Sequence, residues 1–288
     1  MSKELIEAIE SYEKYISVNG ITEEAISAYI MAAETAINQE KDKEYGFKIT
    51  ARAKELIETF VLRATGGTIW DLESYCNKNK VSYGILDQYY SVLKLESNDL
   101  FDSYLLYLEK NRDEEERFYL PKRKQLNKHG LIQAMQDLED DKLDILSISM
   151  PPGTQKTTLE KFFSSWIIGR HPKDYSLFFS HSGDITRMFY DGVLDITTSE
   201  EYTWSEIFPD VKLRDTNAKA EKMDFGKYKP FYSLQCTSVG SKNSGKVRCN
   251  RYLYCDDLIG GIEEALNKSR LDNLWRIYSV DARQRKLN

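Results

Sequence analysis

Residues 149–158 read Ser149-Met150-Pro151-Pro152-Gly153-Thr154-Gln155-Lys156-Thr157-Thr158, and this stretch decides the fold. Before it, residues 143–150 largely alternate apolar and polar side chains, the period of a strand. After it, Leu159-Glu160-Lys161-Phe162-Phe163 opens a helix predicted over about 158–169. Strand, glycine-bearing turn and helix start are the parts of a phosphate-binding loop. Successive backbone N–H groups and the positive helix end nest an anion. A lysine reaches the terminal phosphates, and the hydroxyl after it serves Mg²⁺; Lys156 and Thr157 have those places. The stretch departs from G-x-x-x-x-G-K-[ST] twice: Met150 stands at the first glycine and Gln155 at the glycine before the lysine. A side chain at 155 crowds the approach of backbone to phosphate.

Working outward, residues 252–257, Tyr252-Leu253-Tyr254-Cys255-Asp256-Asp257, form an apolar strand ending in two carboxylates. In phosphate-loop ATPases the first such acid holds the Mg²⁺ shell and the next polarises the attacking water. That strand, 251–255 without its acids, joins 175–180 and 231–236 as strand candidates, and 184–195 is a further helix. Strands alternating with helices predict an α/β domain: a mostly parallel sheet flanked by helices, of the P-loop NTPase (RecA-like, ASCE) kind.

The first part of the chain has a different period. Apolar residues recur at helical spacing through Leu5, Ile6, Ile9 and Tyr12, then Ala25, Ile26, Tyr29, Ile30 and Ala33. Asn19-Gly20 ends one helix and Thr22 caps the next. A third helix is predicted over about 47–63. Residues 69–93 have the outline of a helix-turn-helix, with Ser82 capping the second helix and Lys78, Lys80, Tyr83 and Gln88 as the DNA-facing set. Two short amphipathic helices in a plain bundle read the same way. The stripe Tyr104, Leu105, Tyr107, Leu108 reads as core.

Charge separates the two parts. Residues 1–115 carry 13 basic and 22 acidic residues, residues 116–288 carry 27 and 24. Together with the charged run 111–116, this places a boundary between a helical region, 1–115, and the ATPase-like domain, 116–288. The four cysteines form no CxxC pair and only three histidines are present, so no zinc-site spacing exists. Scattered thiols fit a reducing cytoplasm. The N-terminal residues lack the apolar core of a signal peptide, and no apolar run reaches the ~18 residues that span a bilayer.

The segment 151–157 with Asp256-Asp257 resembles the bacteriophage terminase large subunit, the ATPase that packages DNA into proheads. Members carry a Pro-Pro-x-x-Gly-Lys-Ser/Thr loop, an Asp-Asp strand end, and a glycine-containing segment before it, here 237–248. The stretches Ser180-His181-Ser182, Tyr202-Thr203-Trp204, Ile207-Phe208-Pro209 and Leu274-Trp275-Arg276 are also similar, so the resemblance covers about 117–288. It implies ATP and Mg²⁺ as cofactors. Pro152, Gly153, Thr154, Gln155, Lys156, Thr157 and Thr158 would cradle the nucleotide, and Thr157 and Asp256 would serve the metal. Asp257 would be the catalytic acid, with Glu263 or Glu264 in reserve, and Lys156 would act on the phosphates. Tyr119 would stack on the adenine and Gln125 read its edge. Arg248 would neutralise the transferring phosphate, with Arg251 as the other candidate. His181 reads either as a sensing residue or as part of a helix-capping Ser-His-Ser turn.

The partners implied are double-stranded DNA, a portal protein, a small terminase subunit and further copies in a ring. The place implied is the host cytoplasm, at the prohead portal, with no membrane. Relatives continue into a coupling strand and a nuclease domain, so the ATPase domain is expected to be truncated at its C-terminal end. The open alternatives are a nucleotide-binding or structural packaging protein with a degenerate loop, and another phosphate-loop ATPase such as a helicase.

Overall fold

The computed structural model describes residues 2–67, 72–81, 83–151, 153–239 and 248–282. The chain divides into two compact units, Met1–Tyr107 with Arg117–Gln136, and Leu108–Glu116 with Asp137–Asn288. The expected boundary at 115/116 thus falls inside an exchange of segments. Residues 117–136 fold with the N-terminal helices, and 108–116 with the second unit. The reason is visible in the polar contacts of each segment. Arg117 binds Glu73 and Arg123 binds Asp102, whereas Arg112 binds Glu201.

The first unit is helical. Helices α1 (Lys3–Asn19), α2 (Glu23–Glu34) and α3 (Lys43–Thr65) begin at Ser2, Thr22 and Asp42, whose side chains accept the N–H groups of Leu5, Ala25 and Tyr45. Such caps satisfy donors that a helix start leaves open. Gly20 and Gly66, both at positive φ, close α1 and α3. Helices α4 (Leu72–Asn79), α5 (Tyr83–Ser97), α6 (Phe101–Leu108), α7 (Tyr119–Lys128) and α8 (Leu131–Glu139) follow; the last residues of α6 and α8 pass into the second unit. Ile26, Ala33, Ala53, Ile57, Val61, Ile85, Val92 and Tyr104 fill the core without solvent exposure. The stripe at 104–108 is core, as its spacing predicts.

The second unit is α/β. Its sheet has the order β2-β3-β4-β1-β5, where β1 is Ser176–Ser180, β2 Leu213–Asn217, β3 Lys222–Phe225, β4 Leu234–Ser238 and β5 Leu253–Cys255. β1 pairs in parallel with β4 and β5, while β2, β3 and β4 are antiparallel neighbours, so the sheet is mixed around a parallel centre. Helices α9 (Lys156–Arg170), α10 (Gly183–Thr198), α11 (Trp204–Ile207), α12 (Ile262–Leu266) and α13 (Lys268–Arg276) accompany it. All of β1 is buried, and Phe178 stacks on Phe189 of α10 at 3.8 Å between ring centres. Trp204 donates its indole N–H to the Ser165 carbonyl at 3.0 Å, joining α11 to α9.

One expected strand does not form. Residues 143–150 have no ladder partner among the described residues. Ile145 is 74% exposed, and although Leu146, Ile148 and Met150 are half-buried, without a neighbouring strand the alternation gains no sheet energy.

Candidate functional site

The loop ahead of α9 is shaped by two left-handed residues. Gly153 has φ 81° and Gln155 has φ 61°, ψ 39°. Glycine adopts this region freely; for glutamine it costs about 1–2 kcal/mol. Gln155 is the residue before α9, and its side chain makes no cap bond to the helix. The positive end of α9 therefore lacks the side-chain oxygen that covers the starts of α1, α2 and α3. Thr154 turns its hydroxyl to the Pro151 carbonyl at 2.7 Å, and the Thr158 N–H bonds the Gln155 carbonyl at 3.0 Å. Pro152 lies outside the described residues.

The first two residues of α9 reach across to the end of β5. Lys156 Nζ lies 2.6 Å from Asp256 Oδ1. Thr157 Oγ1 donates to Asp256 Oδ2 at 2.6 Å. Asp256 is 3% exposed, and its own N–H continues the ladder to the Phe179 carbonyl at 3.0 Å. Residues a hundred positions apart in sequence thus meet on one carboxylate. The hydrogen bond to Asp256 raises the Lys156 ammonium pKa, against the opposing effect of burial.

A third acid, missed in the sequence, joins them. Glu160 lies one turn beyond Lys156 on α9, and burial followed by the negative charge of Asp256 pushes its carboxyl up to about 8. Lys156 opposes that rise but does not cancel it. The cluster is short of positive charge. The helical spacing of Lys156 and Glu160, i and i+4, was the available signal.

Asp257 follows at φ 48°, with its side chain open to solvent. Its carbonyl accepts the His181 N–H at 3.1 Å and the Ser180 hydroxyl at 3.3 Å, and His181 Nδ1 lies 2.6 Å from it. Ser182 caps α10 by accepting the Asp184 N–H, so capping belongs to Ser182, while His181 binds the turn that carries Asp257. Glu264 accepts the Gly260 N–H at 2.8 Å and lies 3.5 Å from Arg270; Glu263 is exposed.

Other expected site residues are placed differently. Arg248 is exposed, just before buried Cys249, and most of the glycine-containing segment ahead of it, 240–247, lies outside the described residues. Arg251, the other candidate for neutralising the transferring phosphate, is engaged on Glu139 at 2.6 Å. Tyr119 and Gln125 belong to the first unit. The Tyr119 ring is fully buried with its hydroxyl on Asp102, so neither face is open to a base; Gln125 is exposed. Of the helix-turn-helix set, Gln88 faces inward, donating to the Glu23 carbonyl at 2.9 Å and the Ser27 hydroxyl at 2.7 Å. Lys78 and Lys80 are exposed, while Ser82 and the Tyr83 side chain lie outside the description.

Among the described residues, no three His, Cys, Asp or Glu side chains converge as a metal-binding group. Mg²⁺ does not require one, since it keeps waters and takes one or two protein oxygens beside substrate phosphates. Thr157 and Asp256 supply hard oxygen donors of that kind. The chain matches no protein-family profile, no curated protein and no solved structure. No described helix is long and apolar enough to cross a membrane.

Proposed function

We propose that the second unit binds Mg-ATP at Lys156, Thr157 and Asp256 and hydrolyses it, as the P-loop ATPase motor of a terminase-like DNA-packaging machine. The observation that carries this reading is the double contact of Lys156 and Thr157 with the Asp256 carboxylate, each at 2.6 Å. Only a loop-helix and a strand end that face one another bring that trio together.

The roles follow from charge and reach. Lys156 rests on Asp256 and turns to an arriving phosphate, a better-matched partner for a flexible ammonium. Thr157 and Asp256 stay as oxygen donors to Mg²⁺, which when bound neutralises charge on the phosphates. The α9 N-terminus and the loop N–H groups orient the anion. Asp257, in solvent beside this trio, accepts the proton of the attacking water. Arg248, exposed, is the chain's candidate for charge neutralisation, in its own site or a neighbour's. Such an arginine is worth ~10³–10⁵ in rate, so a lone chain turns over slowly. Double-stranded DNA, a portal, a small terminase subunit and a ring of copies at the prohead in the host cytoplasm belong to this proposal through the resemblance alone.

A second reading, nucleotide binding without turnover, is favoured by one observation: Gln155 sits at φ 61° where the loop pattern has glycine. ATP hydrolysis measured with DNA present distinguishes the two. The motor reading expects turnover in the parent, none in Lys156→Ala, and a large loss with retained binding in Asp257→Asn. Binding with no turnover under any condition supports the second reading. Normal turnover in Asp257→Asn with loss in Glu263→Gln or Glu264→Gln moves the catalytic acid to α12.

A further inference from the structure

Far from the loop, the other ends of α9 and β5 meet on a second buried acid. Glu139, 5% exposed, accepts Arg251 Nη2 at 2.6 Å and the Tyr252 hydroxyl at 2.8 Å on Oε2. On Oε1 it meets His171 Nε2 at 2.6 Å and Arg170 Nη1 at 2.9 Å. Arg170 is the last residue of α9, with His171 its C-cap. Arg251 and Tyr252 immediately precede β5.

At 1.5 Å per residue the helix carries Arg170 about 20 Å from Thr157. The same helix and strand are therefore tied twice, at Glu139 and at Asp256, by polar contacts near opposite ends. Between the ties, Phe163 of α9 packs edge-on against Tyr252 at 5.5 Å. A helix and a strand pinned at both ends cannot slide or pivot independently. The spacing at one tie constrains the other.

We propose that Glu139 is a positioning residue for the loop site: by holding Arg170 and His171 together with Arg251 and Tyr252, it fixes the register of α9 against β5 and thereby the reach of Lys156 and Thr157 to Asp256. The consequence for turnover rests on the nucleotide-site reading; the mechanical coupling does not. Glu139 carries no substrate contact in this account. Its carboxylate stays ionised because the surrounding cations hold its pKa down to about 2 against burial.

The test is a double-mutant cycle on the full chain, Glu139→Gln with Asp256→Asn, read by urea unfolding through tryptophan fluorescence. Trp166 and Trp204 lie in the core of the unit concerned. Independent sites this far apart change the unfolding equilibrium constant multiplicatively, within about twofold. The proposal expects a coupling factor of about five or more. Multiplicative behaviour within twofold overturns it. If Glu139→Gln does not fold, Tyr252→Phe, which keeps the ring against Phe163 and removes one bond to Glu139, takes its place with the same expected and overturning results. Mg-ATP binding by the parent is measured alongside. No binding with a coupled cycle overturns the nucleotide reading and leaves the positioning role standing; binding with an uncoupled cycle does the reverse.

Discussion

Asp102 in the helical unit and Asp256 in the α/β unit are both drawn out of solvent and both bind a cation and a hydroxyl. They differ in how completely they are satisfied. Asp102 takes two parallel bonds from Arg123, at 3.0 and 2.7 Å, with the Tyr119 hydroxyl and the Asn127 amide completing its shell. Burial would raise its pKa, but Arg123 first, then Tyr119 and Asn127, bring it below the ordinary value. Asp256 has one flexible lysine and one threonine, both from the first turn of α9 behind a glutamine in left-handed backbone, and a second acid whose carboxyl its charge helps to raise. A saturated acid holds helices together. In the proposed reading, the acid with less positive charge around it is the one that receives a cation.

The comparison breaks first at stability. Asp102→Ala strands Arg123 and frees the Tyr119 hydroxyl in the core, so it should destabilise the helical unit by about 2 kcal/mol; this is less than the 3–5 of a fully buried pair, because part of Asp102 is solvated. Asp256→Asn should cost far less and is expected to leave the fold intact while removing Mg²⁺-dependent binding. Urea unfolding of the two variants measures this. Equal losses would mean that Asp256 is as structural as Asp102.

It sharpens at Glu160. The folded-state pKa of about 8 lies above the ordinary 4.5, so the folded chain keeps a proton that the unfolded chain gives up between those values. Stability from this group is full below about pH 4.5 and is lost as pH rises toward 8. Glu160→Gln should flatten that loss and be more stable than the parent at pH 8. Mg²⁺ should flatten it too, by supplying the missing positive charge. Identical pH profiles for parent and Glu160→Gln would remove the charge-deficit argument. Glu139, held at about 2, contributes the opposite limb: its stability is lost only as pH falls below about 4.5.

The smallest effect is at Gln155. Gln155→Gly relieves a left-handed side chain, about 1 kcal/mol, set against the entropy glycine adds to the unfolded chain, so stability should change little. Nucleotide affinity should rise several-fold if the side chain crowds the phosphates. Weaker binding in a thermal-shift titration would mean that the loop has adapted to glutamine.

Much of this contrast is legible in the residues. Lys156, Thr157 and Asp256 are readable because a phosphate loop and an acidic strand end are local patterns whose meeting follows from parallel α/β topology. The helical period of the first unit is equally plain. Glu139 is not readable, since its role comes from two arginines, a histidine and a tyrosine supplied by distant elements. Tyr119 misleads for the same reason: an aromatic ahead of the loop suits a base, but Asp102, brought close by tertiary packing, claims its hydroxyl. Residues 143–150 mislead because alternation specifies a strand only where a neighbouring strand is present to pair with it.

Calorimetric titration of the full chain with ATP, with and without Mg²⁺, tests the central claim most directly, on the parent, Thr157→Ala, Asp256→Asn and Asp102→Asn. The account predicts saturable, Mg²⁺-dependent binding in the parent, weakened at least tenfold (~1.4 kcal/mol) by Thr157→Ala or Asp256→Asn and unchanged by Asp102→Asn. No binding by the parent, or binding that neither Thr157→Ala nor Asp256→Asn weakens, would contradict it.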